Sequence, residues 1–477
     1  MRRAFLTSLL ALGLTVGTTQ RVSAQADRHE LGVRLKQFEQ AWEKQTDPTV
    51  RKTALVTIPK VTNQFFSLQL GEAGRTLDEA RYVLQGSARP TDAVRYLEAI
   101  YPTLDKRIVP SATASVTVTL RSFYTVKGEQ PKNAVVEVLC GTDKPIRVAL
   151  GKLPQTIECP VTPISTTRDQ QITMTLQLDE QDVAGFQTTR TLNVMRWQDV
   201  EKRLKTVQQA ASTIPASPNL EQATLASHAE LLLQLAQNTP METDYPVTQL
   251  IAESETFAKQ PLTAYFTPAN SGQYWITVPT GKNQLTTCRV LVPTGLKKDH
   301  PVPVVIAMHG AGGSENLFFE GYGAGHIVRE CEKRGWLLIA PRSGLLGAPP
   351  VAAIVEKLAE RYPLDPKRMF LVGHSMGAGQ AVEVIQQNPG KFKAVALLGG
   401  AGRIRKPEAF AEIPVFIGVG TKDQLAFTGA KSLSKALATA GAKNVTDKEY
   451  ADIEHMVIVR EALPDVFAAW DQLIQLR

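Results

Sequence analysis

The stretch Met369-Phe370-Leu371-Val372-Gly373-His374-Ser375-Met376-Gly377 decides how the carboxyl-terminal half of this 477-residue chain folds. Four apolar residues of strand character run into Gly373, and a helical apolar pattern continues to Ile385. A serine with glycine two residues to either side, between a strand and a helix, is a nucleophile elbow. The turn is too tight for side chains at the flanking positions, so Gly373 and Gly377 let strand and helix pass closely. It lifts the Ser375 hydroxyl above the sheet, at the positive end of the following helix.

Around this elbow the sequence alternates strand and helix patterns from residue 272 to the end. Strand candidates are Cys288–Val292, Val302–Met308, Trp336–Ala340, Met369–Val372, Ala394–Leu398 and Val415–Val419. The alternation predicts an α/β fold, with a mostly parallel sheet covered by helices on both faces. Ligands of such sheets bind at the carboxyl ends of the strands, which is where Ser375 stands.

A serine hydroxyl is a poor nucleophile at neutral pH, because its proton must leave as it attacks. It needs a histidine base, and the histidine needs a carboxylate to hold its tautomer and stabilise the imidazolium. Where the elbow is the nucleophile, the chain order is serine, carboxylate, histidine. His455 is the only histidine after Ser375. Asp423 follows the strand Val415–Val419 through Gly420-Thr421-Lys422, a loop placed to supply the carboxylate. Asp452 and Glu454 are nearer His455 in sequence but fall in or beside the last strand, and Asp447 reads as a turn residue.

The tetrahedral intermediate needs two backbone amides for its oxyanion. Met376, the residue after the nucleophile, supplies one. The second is expected from His309-Gly310-Ala311-Gly312-Gly313-Ser314 after the strand Val302–Met308, with Ala311 first and Gly312 as the alternative. His309 reads as support for that loop. No Gly-Lys-Ser/Thr follows, so the glycines do not form a phosphate loop. Gly321-Tyr322-Gly323-Ala324-Gly325 reads as a loop lining the pocket, without a mechanism of its own.

Together, His309–Ser314, Gly373–Gly377, Asp423 and His455 resemble the α/β-hydrolase superfamily. The nearest group is that of secreted polyhydroxybutyrate-depolymerase-like and feruloyl-esterase-like enzymes and the predicted peptidases related to them. The resemblance covers about residues 272–477. It implies acyl-enzyme chemistry on esters, with no metal or organic cofactor. Members of this group often carry Gly before the catalytic histidine and an aromatic two residues after it; here the run is Glu454-His455-Met456-Val457.

Upstream the chain reads differently. Arg2 and Arg3 precede an apolar run from Phe5 to Val16, and Val22-Ser23-Ala24 offers the small residues of a cleavage site. Residues 1–24 are therefore expected to be a signal peptide, with export to the periplasm or the medium. Residues 25–109 read as helical, from Leu31, Leu35, Phe38 and Trp42 at helical spacing and from a capping box expected at Thr76 and Glu79. Alternation in Val116, Val118 and Leu120, and again in Ile172, Met174 and Leu176, predicts a β-sandwich-like domain over 110–196. Helical patterning returns over 197–258, where His228 reads as structural, and a linker over 259–271 leads to the catalytic domain.

The formal charge of +7 falls to +4 without residues 1–24, which carry three arginines and no acid. So mild a balance, with no basic stripe and no zinc-type cysteine spacing, points away from nucleic acid. No later segment reaches 18 unbroken apolar residues, so no membrane span is expected. Cys140 and Cys159 lie in one β-rich region, where they are either bridged or simply buried; the same holds for Cys288 and Cys331. The reading is an exported serine hydrolase of carboxylic esters, small-molecule or polymer-linked. The alternatives are a serine peptidase with the same triad and a non-catalytic binding protein on this scaffold. Because only Gly400–Ile413 separates two core strands, an open site suited to a bulky ester is expected, unless the amino-terminal regions fold over it.

Overall fold

The computed structural model describes residues 18–86, 90–141, 144–178, 186–239, 241–259 and 264–475, with backbone alone for 18–26. The expected signal peptide falls largely outside them. Five helices come first: α1 (Thr18–Lys44), α2 (Pro48–Ala54), α3 (Pro59–Phe66), α4 (Leu70–Leu84) and α5 (Asp92–Ala99). α1 buries Leu31, Leu35, Phe38 and Trp42 along one stripe. α2 opens on Pro48, with the Asp47 carboxylate accepting from Thr49 N at 2.7 Å. The capping box expected at Thr76 is absent. The buried stripe Leu70, Ala73, Leu77, Ala80 and Leu84 extends α4 upstream of it. Thr76 therefore lies inside the helix, and its hydroxyl donates to Glu72 O at 3.0 Å.

Eight strands follow: β1 (Ile100–Leu104), β2 (Ile108–Pro110), β3 (Ser115–Ser122), β4 (Val135–Cys140), β5 (Ile146–Ala149), β6 (Gln155–Pro160), β7 (Arg168–Gln177) and β8 (Gln187–Trp197). They form two sheets, in the orders β1-β3-β6 and β2-β8-β7-β4-β5. Inward residues of both sheets, among them Val118, Leu120, Val136, Ile172 and Met174, make one core. Strand structure starts at Ile100, before the expected 110, because β1 pairs antiparallel with β3 at an edge that tolerates Pro102. All four cysteines are buried thiols, and the Cys140 hydrogen bond, with burial, pushes the Cys159 thiol up.

Helices α6 (Val200–Ser212), α7 (Leu220–Ala236) and α8 (Val247–Phe257) lead into the large sheet. α7 is bonded to its first strand: the Thr224 hydroxyl accepts from Thr277 N at 3.0 Å, and His228 Nε2 donates to Trp275 O at 2.9 Å. Burial pulls His228 down to about 4, so it is a neutral structural donor.

The large sheet has β9 (Gly272–Gly281), β10 (Gln284–Val292), β11 (Val302–Met308), β12 (Leu337–Pro341), β13 (Leu364–His374), β14 (Ala394–Leu398), β15 (Val415–Gly420) and β16 (Val445–Tyr450). Their helices are α9 (Leu317–Glu320), α10 (His326–Arg334), α11 (Val351–Ala359), α12 (Met376–Gln387), α13 (Phe427–Thr439) and α14 (Ile458–Gln475). The spatial order is β16-β15-β14-β13-β11-β12-β10-β9, parallel from β12 to β16 and antiparallel at β9 and β10. The chain steps from β11 back to β12 and then across to β13, so the winding reverses between β11 and β13. That reversal opens a crevice at their carboxyl ends. One strand gave little sequence signal. β16 is mostly exposed, and Asp447 lies within it, paired to Lys431 at 2.9 Å, rather than in a turn. Among the described residues no helix is long and apolar enough to cross a membrane.

One buried charge cluster ties the helical region together. Arg34 on α1 is 1% exposed and bonds the Asp78 carboxylate on α4 and Glu98 O on α5 at 2.9 Å. Its guanidinium lies 5.0 Å from the Phe123 ring. Arg190 and Arg81 hold Glu98 at about 2 against the upward push of burial. Breaking a buried pair on one side leaves an uncompensated charge. Asp78→Ala is expected to lower the unfolding free energy by about 3–5 kcal/mol in urea denaturation; unchanged stability would contradict this account of α1.

Candidate active site

Ser375 joins β13 to α12 with φ 55° and ψ −119°, a strained backbone for a residue bearing a side chain. Its neighbours show why the turn is built of glycine. A Cβ on Gly373 would lie 2.2 Å from Gly377 O, and one on Gly377 would lie 2.1 Å from Met308 O, at the end of β11. Ser375 N donates to Leu398 O at 3.0 Å, which pins the elbow to the end of β14.

Asp423 follows β15 and is 1% exposed. Its Oδ1 accepts from Leu425 N at 3.1 Å and Ala426 N at 2.8 Å, and its Oδ2 lies 2.9 Å from His455 Nδ1. An ionised carboxylate only accepts, so Nδ1 carries the hydrogen and Nε2 is left as the basic nitrogen. Ser375 and His455 line one cavity, together with Gly310, Ala311 and Gly312. Among the described residues no hydrogen bond joins Ser375 Oγ to His455 Nε2, and such contacts often tighten only when substrate is bound.

The amides expected to meet an oxyanion are placed around the serine. Met376 opens α12, and Ala311 and Gly312 lie in the loop after β11, Gly312 at φ 77°. Among the described residues none of these three amides donates to a backbone carbonyl. His309 is committed to the loop: Nδ1 donates to Gly310 O at 2.8 Å, and Nε2 accepts from Ser343 N at 3.0 Å. Among the described residues no group of three or more His, Cys, Asp or Glu could hold a metal ion.

Of the two outcomes left by the short Gly400–Ile413 segment, the structure takes the second, with the amino-terminal helices over the site. The amino-terminal helices supply the roof that a cap would. The cavity, about 290 Å³, is lined by Leu31 and Leu35 of α1 and by Val61, Phe65 and Phe66 of α3, facing Ser375, His455, Leu317 and Met456. Phe65 lies directly on the glycine-rich loop after β11, 2.7 Å from where a Cβ on Gly312 would be. Nothing in the sequence marked these residues as site residues; the helical spacing of Leu31 and Leu35 showed burial without showing what they are buried against. Acids near the cavity are already engaged: Glu242 with Arg342 at 2.9 Å, Asp244 with His29 at 3.5 Å, and Glu320 with Arg289.

Behind the base lies a second buried carboxyl. Glu454 Oε1 accepts from Met456 N and Val457 N, both at 2.8 Å, which shapes the turn that carries His455. Burial lifts Glu454 to about 7, while those two bonds and His455 pull it down. Glu39 of α1 is fully buried near it, and burial together with Glu454 pushes the Glu39 carboxyl well above the carboxylate range.

Against known proteins, residues 350–413 match the family model described as serine aminopeptidase, S33. A stretch of 117 residues is 30% identical to S-formylglutathione hydrolase of Bos taurus, covering 24% of this chain and 36% of that protein. The chain thus spans about a third of the length of that relative. An S-formylglutathione hydrolase from Agrobacterium tumefaciens aligns with a TM-score of 0.35 at 16% identity, over 43% of this chain and 96% of that one. A thermostable esterase aligns with a TM-score of 0.38 at 14% identity, over 78% of this chain and 98% of that one. The carboxyl-terminal region is an α/β fold with a mostly parallel sheet, preceded by helical and β-rich regions.

Two measurements probe this geometry. Asp423→Asn keeps the shape but offers His455 an amide; kcat is expected to fall by about 10⁴-fold with the fold intact, and a loss below tenfold would contradict the assigned tautomer. The folded value of Glu454 lies above its ordinary 4.5, so its protonated form favours the folded state. That contribution is complete below about pH 4.5 and is lost as pH rises through about 7. Glu454→Gln is expected to flatten the stability profile over that window in urea denaturation. A profile as steep as that of the wild type would contradict it.

Proposed function

We propose that the protein is an exported serine hydrolase that cleaves small, largely apolar carboxylic esters through an acyl-enzyme intermediate. The observation that carries this reading is the Asp423–His455 hydrogen bond on the wall of the cavity that Ser375 also lines. Ser375 Oγ attacks the ester carbonyl while His455 Nε2 takes its proton, and Asp423 stabilises the imidazolium. The amides of Met376 and Ala311, or Gly312 in place of the latter, receive the oxyanion. The imidazolium then protonates the departing alcohol. Water, deprotonated by His455, attacks the acyl-serine and frees the acid.

The roof supports the substrate class. A cavity of about 290 Å³ lies at the small end of the range for ligand sites, and Leu31, Leu35, Val61 and Phe65 give it an apolar wall. With that roof over Ser375, the argument for a bulky or polymer-linked ester falls away. The peptidase alternative draws on the description of the matched family model. An amino terminus would need a free carboxylate, whereas Glu242, Asp244 and Glu320 are already paired. Export rests on the pattern of residues 1–24, and sequencing of the mature protein is expected to begin at Gln25.

The test is turnover of p-nitrophenyl acetate and butyrate beside Ser375→Ala. The variant is expected to lose about 10⁴-fold or more of kcat. Equal activity in both would remove Ser375 from the mechanism. Cleavage of aminoacyl p-nitroanilides instead of esters would favour the peptidase, and no turnover by a folded wild type would favour a binding role. Phe65→Ala is expected to widen the roof, lowering KM for longer acyl chains relative to acetate; an unchanged chain-length profile would mean that the acyl group lies elsewhere.

A further inference from the structure

We infer that Tyr322 and His374 form a buried hydrogen-bond chain that holds the oxyanion loop, the elbow and the histidine loop in register, making both of them positioning residues. The inference rests on the serine-hydrolase reading for what the chain positions, but the chain itself stands on geometry. His374 Nε2 lies 2.9 Å from His455 O, and His374 Nδ1 lies 2.7 Å from Tyr322 Oη. Gly310 N lies 3.3 Å from the same Tyr322 oxygen.

The directions are fixed by what each atom can do. A carbonyl oxygen only accepts, so His374 Nε2 carries hydrogen and donates to His455 O. Burial and the neighbouring His455 push His374 well below the usual histidine range, so the ring is neutral and Nδ1 must accept. Tyr322 therefore donates its hydroxyl hydrogen to Nδ1, which leaves the oxygen lone pairs to accept from Gly310 N–H. Burial raises the Tyr322 phenol, so the hydroxyl keeps the hydrogen that the chain requires. Reversing any one bond would place two donors or two acceptors face to face.

The chain touches each loop beside its functional atom. Gly310 adjoins Ala311, His374 adjoins Ser375, and the acceptor is the carbonyl of His455 itself. The fit leaves no slack: a Cβ on Gly310 would lie 3.0 Å from Tyr322 Oη and 3.2 Å from Ser375 Cβ. A Cβ on Gly399 would lie 3.3 Å from His374 Nε2 and 3.2 Å from Asp423 Oδ2. The rings are held at matching distances, Tyr322 to His374 edge-on at 4.7 Å and His374 to His455 at 4.7 Å. Tyr322 is itself held edge-on by Phe318 at 4.9 Å, beneath α1. This assigns work to the Gly321–Gly325 loop, which the proposed reaction otherwise leaves idle. Misplacement by a fraction of an ångström in such a site lowers kcat more than it weakens binding.

Four variants test the chain. Tyr322→Phe removes only the hydroxyl, and is expected to lower kcat by about 10- to 100-fold with KM changed less than about threefold. His374→Leu is expected to do at least as much. His374→Gln offers one acceptor and one donor, and is expected to recover most of the loss seen in His374→Leu. The double variant Tyr322→Phe with His374→Leu is expected to be no slower than His374→Leu alone, because one chain broken twice is lost once. Additive losses, or a glutamine no better than leucine, would overturn the proposal. Imidazole ¹⁵N resonances of the wild type give a readout independent of ester turnover. The His374 ring is expected to remain the neutral Nε2–H tautomer across the usual range of histidine titration and to shift in Tyr322→Phe. Titration in that range, or the Nδ1–H tautomer, would overturn the chain even with the esterase reading intact. An enzyme inactive on esters with the expected resonances would fail only the esterase reading.

Discussion

Helix α1 docks on the large-sheet region through one apolar stripe, and the candidate site depends on that docking. Leu31, Leu35, Phe38 and Trp42 share a core with Phe318, Tyr322 and the strand residues Val305 and Ala307. Burying each such side chain contributes about 1.5–3 kcal/mol, so the helical region is not an appendage that swings free. Trp42 Nε1 donates to Glu461 on α14 at 2.7 Å, and Glu43 meets Arg329 at 3.0 Å, which fixes the helix along its length. On its other side Arg34 is held by Asp78 and by Glu30. The roof, the close approach of Phe65 to Gly312 and the seating of Tyr322 all follow from this placement.

The loops that carry the candidate site residues come from four places in the chain, and no single element holds them together. The elbow is set by backbone contact, with Gly377 against the end of β11 and Ser375 N against Leu398 O. Asp423 is set by two amides of its own turn. The His455 loop is set by Glu454 from behind and by His374 from the side. These devices are local hydrogen bonds in a dry interior, where an unmade bond costs more than it would at the surface. A site assembled in this way tolerates little change at positions that never touch substrate.

Much of the catalytic half was legible because its signals are local. The strand, glycine and helix around Ser375 impose their geometry within nine residues, and the uniqueness of His455 left one histidine to place beside Asp423. The β16 strand was not legible: Val445–Tyr450 carries no apolar alternation, since its faces are mostly exposed, and its placement comes from pairing with β15. Thr76 resembled a cap because threonine serves caps and helix interiors alike, and the upstream stripe decided between them. That the amino-terminal region could cover the site was legible as an alternative, but which residues form the roof was not. Helical spacing shows that Leu31 and Leu35 are buried; whether against their own region or against a cavity wall is a tertiary fact. His374 stood inside the motif throughout, but its role required the carbonyl of residue 455 to be seen beside it.

The central claim is that Ser375 carries the acyl group. Wild-type protein turning over p-nitrophenyl butyrate, quenched in acid within the first turnovers and digested, tests it by peptide mass spectrometry. The account predicts one butyryl mass increment, on the peptide containing Ser375. Turnover with no acylated peptide, or with the increment on another residue, would contradict it.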